Sequence, residues 1–204
     1  MRNSSEILRN ALDQAGETLR SIVDLDRQIG TAANLIAECL RAGNKLLVCG
    51  NGGSAADAAD FCTEFACRFV QDRRPYPAMN LSQGGSLITA TGNDYGFDQI
   101  FARQIQALGR PGDVVIAITT SGNSPNVIEG VKAAKRGNLK TIGLSGKDGG
   151  LLAKEADVTI TIASPSTARI QECHIGVGHL LCELTEEDLE GGLRERKSTE
   201  DPAT

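Results

Sequence analysis

A chain of 204 residues with 40% apolar content is long enough to bury a full core, and its length fits one principal domain with appended helix better than two equal domains. The formal net charge of −5 and the even scatter of Lys and Arg exclude the basic stripe that a nucleic-acid footprint needs, so no nucleic acid is expected as a partner; small molecules or further copies of the chain are. No run approaches membrane-spanning length and no apolar segment follows residues 1–6, so neither a membrane association nor a signal peptide is expected, and a cytoplasmic location is.

Residues 5–23 place Leu8, Leu12, Leu19, Ile22 and Val23 on one helical stripe, and 26–41 repeat the pattern with Ile29, Ala33, Ile36 and Leu40. Two amphipathic helices therefore lead the chain over 1–42. Such a pair has no sheet of its own to cover, so it is expected to pack on the rest of the domain or on another subunit. From residue 45 the pattern alternates: strand 45–49, helix 54–68, short strand 78–81, a Gly-rich turn, helix 97–108, strand 114–118, helix 125–136, strand 140–144, short helix 151–156, strand 158–162, and a long helix from 167 to about 187. That order predicts an α/β fold over 43–190 with five strands in a doubly wound parallel sheet, whose ligands sit outside the carboxyl ends of the strands. Residues 191–204 carry no apolar periodicity and are expected to be disordered. The six cysteines fall in apolar strand or helix patterns without a CxxC spacing, which favours reduced, mostly buried thiols over disulfides or metal ligands.

Two loops stand out, GNGGSAAD at 50–57 and TTSGNS at 119–124, each following an apolar run that reads as a buried strand. A strand that ends in small, hydroxyl-rich residues and turns into a helix aims backbone N–H groups, hydroxyls and the positive helix end at one point, which suits a phosphorylated small molecule. The second loop has four hydroxyls in six residues and Pro125 placed for the first helical turn. One hydroxyl would suffice for a cap serving only its own helix, so four argue for an anion. No Lys or Arg lies in it. The first loop is neither GxGxxG nor a Walker sequence with its lysine, which lowers the dinucleotide and ATP readings.

Asp60 and Glu64 lie four residues apart on the helix after the first loop, with Asp57 one turn earlier. An acidic pair at this spacing is usually a solvated face, but Ala55, Ala56, Ala58, Ala59 and Phe61 make this helix too apolar for full exposure. On the last helix the apolar stripe is Ile170, Cys173, Val177, Leu181 and Leu184, and both histidines of the chain, His174 and His179, lie off it.

Taken together and in order, GNGGSAADAADFCTEFACRF (50–69), ATGNDYGFDQIF (90–101), TTSGNSPNVI (119–128), SGKDGG (145–150) and TARIQECHIGVGHLLCEL (167–184) closely resemble the phosphoheptose isomerases, also called sedoheptulose 7-phosphate isomerases, of the sugar isomerase (SIS) domain family. The resemblance runs from the leading helices to about Leu184. It implies a three-layer αβα SIS domain, a homotetramer, and interconversion of D-sedoheptulose 7-phosphate with D-glycero-D-manno-heptose 7-phosphate through an enediolate, at the first committed step toward the heptose of bacterial surface polysaccharide. It further implies that Asn51, Gly52, Gly53, Ser54, Glu64, Asn93, Asp94, Thr119, Thr120, Ser121, Ser124 and Gln171 contact substrate and that Glu64 and His179 are the acid/base pair. Zinc, one ion per subunit, would be held by Asp60, Glu64, Gln171 and His179.

One position departs from the family. Where the pattern GNGGSAADAxH has His, this chain has Asp60, which makes the implied site more anionic and leads us to expect metal binding with a weaker preference for zinc over Mn²⁺ or Mg²⁺. Gln171 and His179 are eight residues apart, so a straight helix separates their Cα atoms by about 12 Å and splays them by about 80°. If both serve one ion, they come from different subunits. Asp60 also favours a second reading, a non-catalytic SIS protein like the tetrameric one that binds the replication initiator DnaA. The retained Glu64, Gln171, His174 and His179 speak against it.

Overall fold

The computed structural model describes residues 3–191. Apart from Gly191, the segment expected to be disordered lies outside the described residues. In chain order the elements are α1 (Ser4–Arg20), α2 (Asp26–Arg41), β1 (Leu46–Gly50), α3 (Gly53–Ala66), β2 (Ala78–Asn80), α4 (Gly85–Tyr95), α5 (Ile100–Leu108), β3 (Val114–Thr119), α6 (Pro125–Arg136), β4 (Lys140–Gly146), α7 (Leu152–Glu155), β5 (Val158–Ile162) and α8 (Thr167–Glu186).

The five strands form one sheet in the order β2-β1-β3-β4-β5, every neighbouring pair parallel. Strand periodicity explains the layers. Side chains alternate across a strand, so Leu46, Val48, Ile116 and Ile118 face one apolar cluster with α2, α3 and α8, while Leu47, Cys49, Val115 and Ala117 face a second with α5, α6 and Leu152. Both faces of β1 and β3 are buried along their whole length. A sheet covered on both sides in this way needs continuous apolar strands, which is what these runs supply.

The chain runs from β1 outward to β2, then returns across the sheet to β3 on the other side of β1. The sheet therefore changes direction between β1 and β3, where Gly50 pairs with Ile118 in register. In open α/β sheets this is the place where a crevice forms beyond the strand ends. Both loops singled out in the sequence leave the sheet there, side by side.

Three expectations change. The Gly-rich turn contains a full helix, α4, and the helix expected over 97–108 begins as a 3-10 turn and becomes α-helical only at Ile100. Gly84, Gly85 and Gly92 hide α4 from a propensity reading, and it buries only Thr91, so it leaves little apolar periodicity. The helix expected over 54–68 ends at Ala66. Third, within this single chain no residue of α1 is buried: Leu8, Leu12, Leu19 and Val23 are exposed and only Ile22 of that stripe is covered, and Leu184 of the last helix faces solvent.

Ile116 lies in the central strand with no exposed surface. Ile116→Ala removes buried methylene groups from a site closed on both sides, and urea unfolding is expected to show a loss of about 2–5 kcal/mol.

Candidate active site

The first loop is built on glycine for a steric reason. Gly52 has φ +54, a conformation that favours glycine, and a Cβ on Gly53 would sit 2.4 Å from the Gln171 side-chain nitrogen. The missing side chain lets α8 bring Gln171 against the amino end of α3. Helix α3 starts without a side-chain cap, and Ser82 braces the strand end by accepting from Gly50 N at 3.1 Å and donating to Gly50 O at 2.9 Å.

In the second loop the hydroxyls turn toward one another. Thr119 Oγ1 lies 2.8 Å from Ser124 Oγ and 3.3 Å from Ser121 Oγ, and Ser121 Oγ accepts from Asn123 N at 3.2 Å. Ser124 stands at the N-cap of α6 but makes no side-chain cap bond. A Ser/Thr cluster that served only its own helix would bond to the first-turn N–H groups. This one is bonded within itself at the amino end of α6, where a helix end favours an anion.

The two loops are tied together by an amide pair that sequence reading missed. Asn51 Nδ2 donates to Asn126 Oδ1 and Asn126 Nδ2 donates back to Asn51 Oδ1, each at 2.8 Å, and Asn126 is 1% exposed. Asn51 was expected to touch substrate; its amide oxygen and nitrogen each make one bond in this brace. The only trace in the sequence is the amide immediately after Pro125, in the first turn of α6.

Helices α3 and α8 both follow strands on the same face of the sheet, and a narrow cleft runs between them. Asp57, Asp60, Phe61 and Glu64 line it from α3, His174, Ile175, Gly178 and His179 from α8, with Ile118 and Leu144 as floor. Ile118 immediately precedes Thr119, so this cleft adjoins the second loop. The i, i+4 spacing of Asp60 and Glu64 does put both on the cleft face. His179 Nε2 lies 3.5 Å from Asp60 Oδ2, both side chains partly exposed. The proposed acid/base pair is thereby brought to one place.

Other expected residues are not gathered there. Asn93 and Asp94 are exposed in the last turn of α4 and bond to each other at 2.7 Å; neither lines the cleft. Gln171 lies farther toward the amino ends of the helices, its amide donating to Asp57 Oδ1 at 3.3 Å. Among the described residues no group of three or more His, Cys, Asp or Glu side chains is placed to hold a metal ion. The four residues implied for zinc therefore do not fit one ion within a single chain: the helix that carries Gln171 and His179 holds them apart.

Burial shapes two further groups. The Asp57 carboxyl is pushed above the ordinary 3.8 mainly by desolvation, with the Asp60 charge adding and the Gln171 hydrogen bond opposing. Burial likewise holds His174 below 6.5, against the effect of its bond to the Ser145 carbonyl. That carbonyl, 2.9 Å away, can only accept, so Nε2 carries the proton and Nδ1 is left as an acceptor without a partner among the described residues. The cysteines are free; all but Cys67 are buried, and desolvation pushes Cys39, Cys49 and Cys62 up to about 12, which leaves them inert thiols.

A doubly wound parallel sheet with two small-residue loops at its switch point, and a carboxylate–imidazole cleft beside them, marks a class of sugar-phosphate proteins; the family model described as "SIS domain" matches residues 12–146. The chain is 46% identical over 182 residues to the phosphoheptose isomerase of Rhodospirillum rubrum, covering 89% of this chain and 97% of that one. Against the phosphoheptose isomerase of Aquifex aeolicus it is 49% identical over 183 residues, covering 89% and 96%. The solved phosphoheptose isomerase from Neisseria gonorrhoeae superposes with a TM-score of 0.81 at 41% identity, covering 89% of this chain and 99% of that one. The one from Francisella tularensis gives 0.87 at 35%, covering 91% and 100%. The chain belongs to the phosphoheptose isomerases of the SIS domain family.

The lowered pKa of His174 fixes a sign. Between its folded pKa and 6.5 the unfolded chain binds more protons than the folded one, so stability contributed by the neutral imidazole is lost as pH falls through 6.5 toward the folded value. Thermal unfolding from pH 8 to 5 should show this loss, with a limiting slope of about 1.4 kcal/mol per pH unit. Asp57 contributes the opposite slope at lower pH, and His174→Asn is expected to remove the first while leaving the second.

Proposed function

We propose that this chain interconverts D-sedoheptulose 7-phosphate and D-glycero-D-manno-heptose 7-phosphate, supplying the precursor of a bacterial surface heptose. The observation that carries this reading is the convergence of Glu64 and His179 in one cleft beside the hydroxyl loop, in a chain whose relatives over nearly full length are phosphoheptose isomerases. In the proposed reaction the Thr119, Ser121 and Ser124 hydroxyls and the amino end of α6 hold the phosphate ester, and the sugar extends toward Glu64. The Glu64 carboxylate takes the proton from C1, the electron pair of that C–H bond forms the C1=C2 double bond, and the C2 carbonyl oxygen takes up the charge as the enediolate. An imidazole both accepts and donates protons near neutrality. His179 transfers the proton between O1 and O2, Glu64 returns its proton to C2, and the aldehyde forms at C1. The Asp60 carboxylate stands beside His179, its Oδ2 3.5 Å from Nε2.

Assembly belongs to the same reading. The apolar residues left exposed on α1 and α8, Ile7, Leu8, Leu12, Leu180 and Leu184 among them, form the face through which a tetramer would assemble. Zinc enters only together with that assembly, since Gln171 and His179 of one chain do not converge. A non-catalytic role would leave the Glu64–His179 cleft without a use, and no helix among the described residues is long and apolar enough to cross a membrane.

Glu64→Gln keeps the shape of the side chain and removes the base. Turnover of sedoheptulose 7-phosphate, followed by appearance of the aldose, is expected to fall about 10²- to 10⁴-fold, with affinity for the phosphate ester retained. Near-normal turnover would remove Glu64 from its role. Sedimentation of the chelator-free protein combined with metal analysis is expected to find a tetramer, with metal bound only in the assembled form; a fully active monomer would refute the assembly.

A further inference from the structure

The stretch between α3 and β2 has no regular structure, yet one buried ion pair organises it. Arg73 Nε donates to Glu186 Oε1 at 2.8 Å, with side chains only 2% and 3% exposed. Two further donors of the guanidinium close the carboxyl end of α3: Nη2 reaches Glu64 O at 2.7 Å, and Nη1 reaches Phe65 O at 2.9 Å. These are the carbonyls that a helix end leaves unpaired. Glu186, in turn, accepts from the backbone N–H groups of Phe69 at 3.2 Å and Gln71 at 3.3 Å. A buried ion pair gives little net stability, because desolvation offsets the attraction. What this one does is fix two places at once, the last turn of the helix that carries Glu64 and the backbone at Phe69.

The Phe69 ring lies against the imidazole of His179, centroids 5.4 Å apart and planes 30° from parallel. Among the described residues His179 makes no hydrogen bond through its ring; its polar neighbour is Asp60 at 3.5 Å, partly exposed. Within one chain, an imidazole whose polar neighbour is a single exposed carboxylate would swing about its side-chain bonds without a further contact. The aromatic face is the contact that limits that motion.

We infer that Phe69, anchored by the Arg73–Glu186 pair, is the positioning residue that sets the His179 imidazole facing the Glu64 cleft. It touches no reacting atom and acts through His179. The inference rests on the isomerase reading for its kinetic arm and is independent of it for its structural arm.

The chain has two histidines, so the resonances of His179 are separable from those of His174. In histidine-labelled protein, Phe69→Leu is expected to move the His179 ring signals downfield, out of the shielding region of the aromatic face, and to leave those of His174 in place. In the turnover assay the same variant is expected to lose about 10- to 100-fold in kcat with KM unchanged, the signature of a misplaced group rather than a lost binding contact. Phe69→Tyr, which keeps the ring, is expected to restore both. Unmoved His179 signals in folded Phe69→Leu protein, a loss confined to KM, or failure of Tyr to rescue overturns the inference. Should the wild-type chain show no isomerase activity, the resonance arm still decides whether Phe69 orders His179, and the kinetic failure falls on the functional reading alone. Phe69→Ala serves as the second variant if Phe69→Leu does not fold, read by the same signals.

Discussion

Everything in this molecule depends on the pairing of β1 with β3. That contact is where the chain reverses its direction of travel across the sheet, and its register sets Gly50 beside Ile118. A slip of one residue would turn every side chain of the strand to the opposite face and break both apolar clusters at once. Burial on two faces therefore enforces a register that also brings the two small-residue loops together. The mutual amide pair of Asn51 and Asn126 then locks what the sheet has aligned.

The cleft depends on a second consequence of the same topology. α3 and α8 leave β1 and β5 on one face of the sheet and run in the same direction, so their residues meet in matching order: Gly53 and Asp57 by Gln171, Phe61 by Gly178, Asp60 by His179. The small residues Gly53 and Gly178 permit this approach, and the carboxylates and the imidazole follow from it. The carboxylates and the imidazole of the cleft thus stand on rigid helices, while the two small-residue loops stand on strand ends. The Arg73–Glu186 pair closes the far end of the same helix pair.

How much of this was legible in the sequence depended on whether a feature was local. The five strands, Pro125 opening a helix and the shared face of Asp60 and Glu64 could be read because period and spacing along the chain determine them. The α4 helix could not, because Gly84, Gly85 and Gly92 conceal it and it buries almost nothing. His174 was read as polar and off the apolar stripe; the structure buries it, since its ring satisfies Ser145 O and so passes as part of the core. Asn126, Arg73 and Glu186 act through partners far away in the chain, 113 residues for the ion pair, and no local pattern announces such a contact. The separation of Gln171 from His179 was legible from helical rise alone.

The loop over 119–124 holds hydroxyls and helix-end amides but no lysine or arginine. Forces from dipoles fade with distance faster than those from a full charge, and the chain as a whole is negative. Such a loop draws nothing in from afar. Whatever anion it takes must arrive by ordinary diffusion, is recognised only on contact, and leaves without pulling away from a fixed countercharge, so dissolved salt has little to screen.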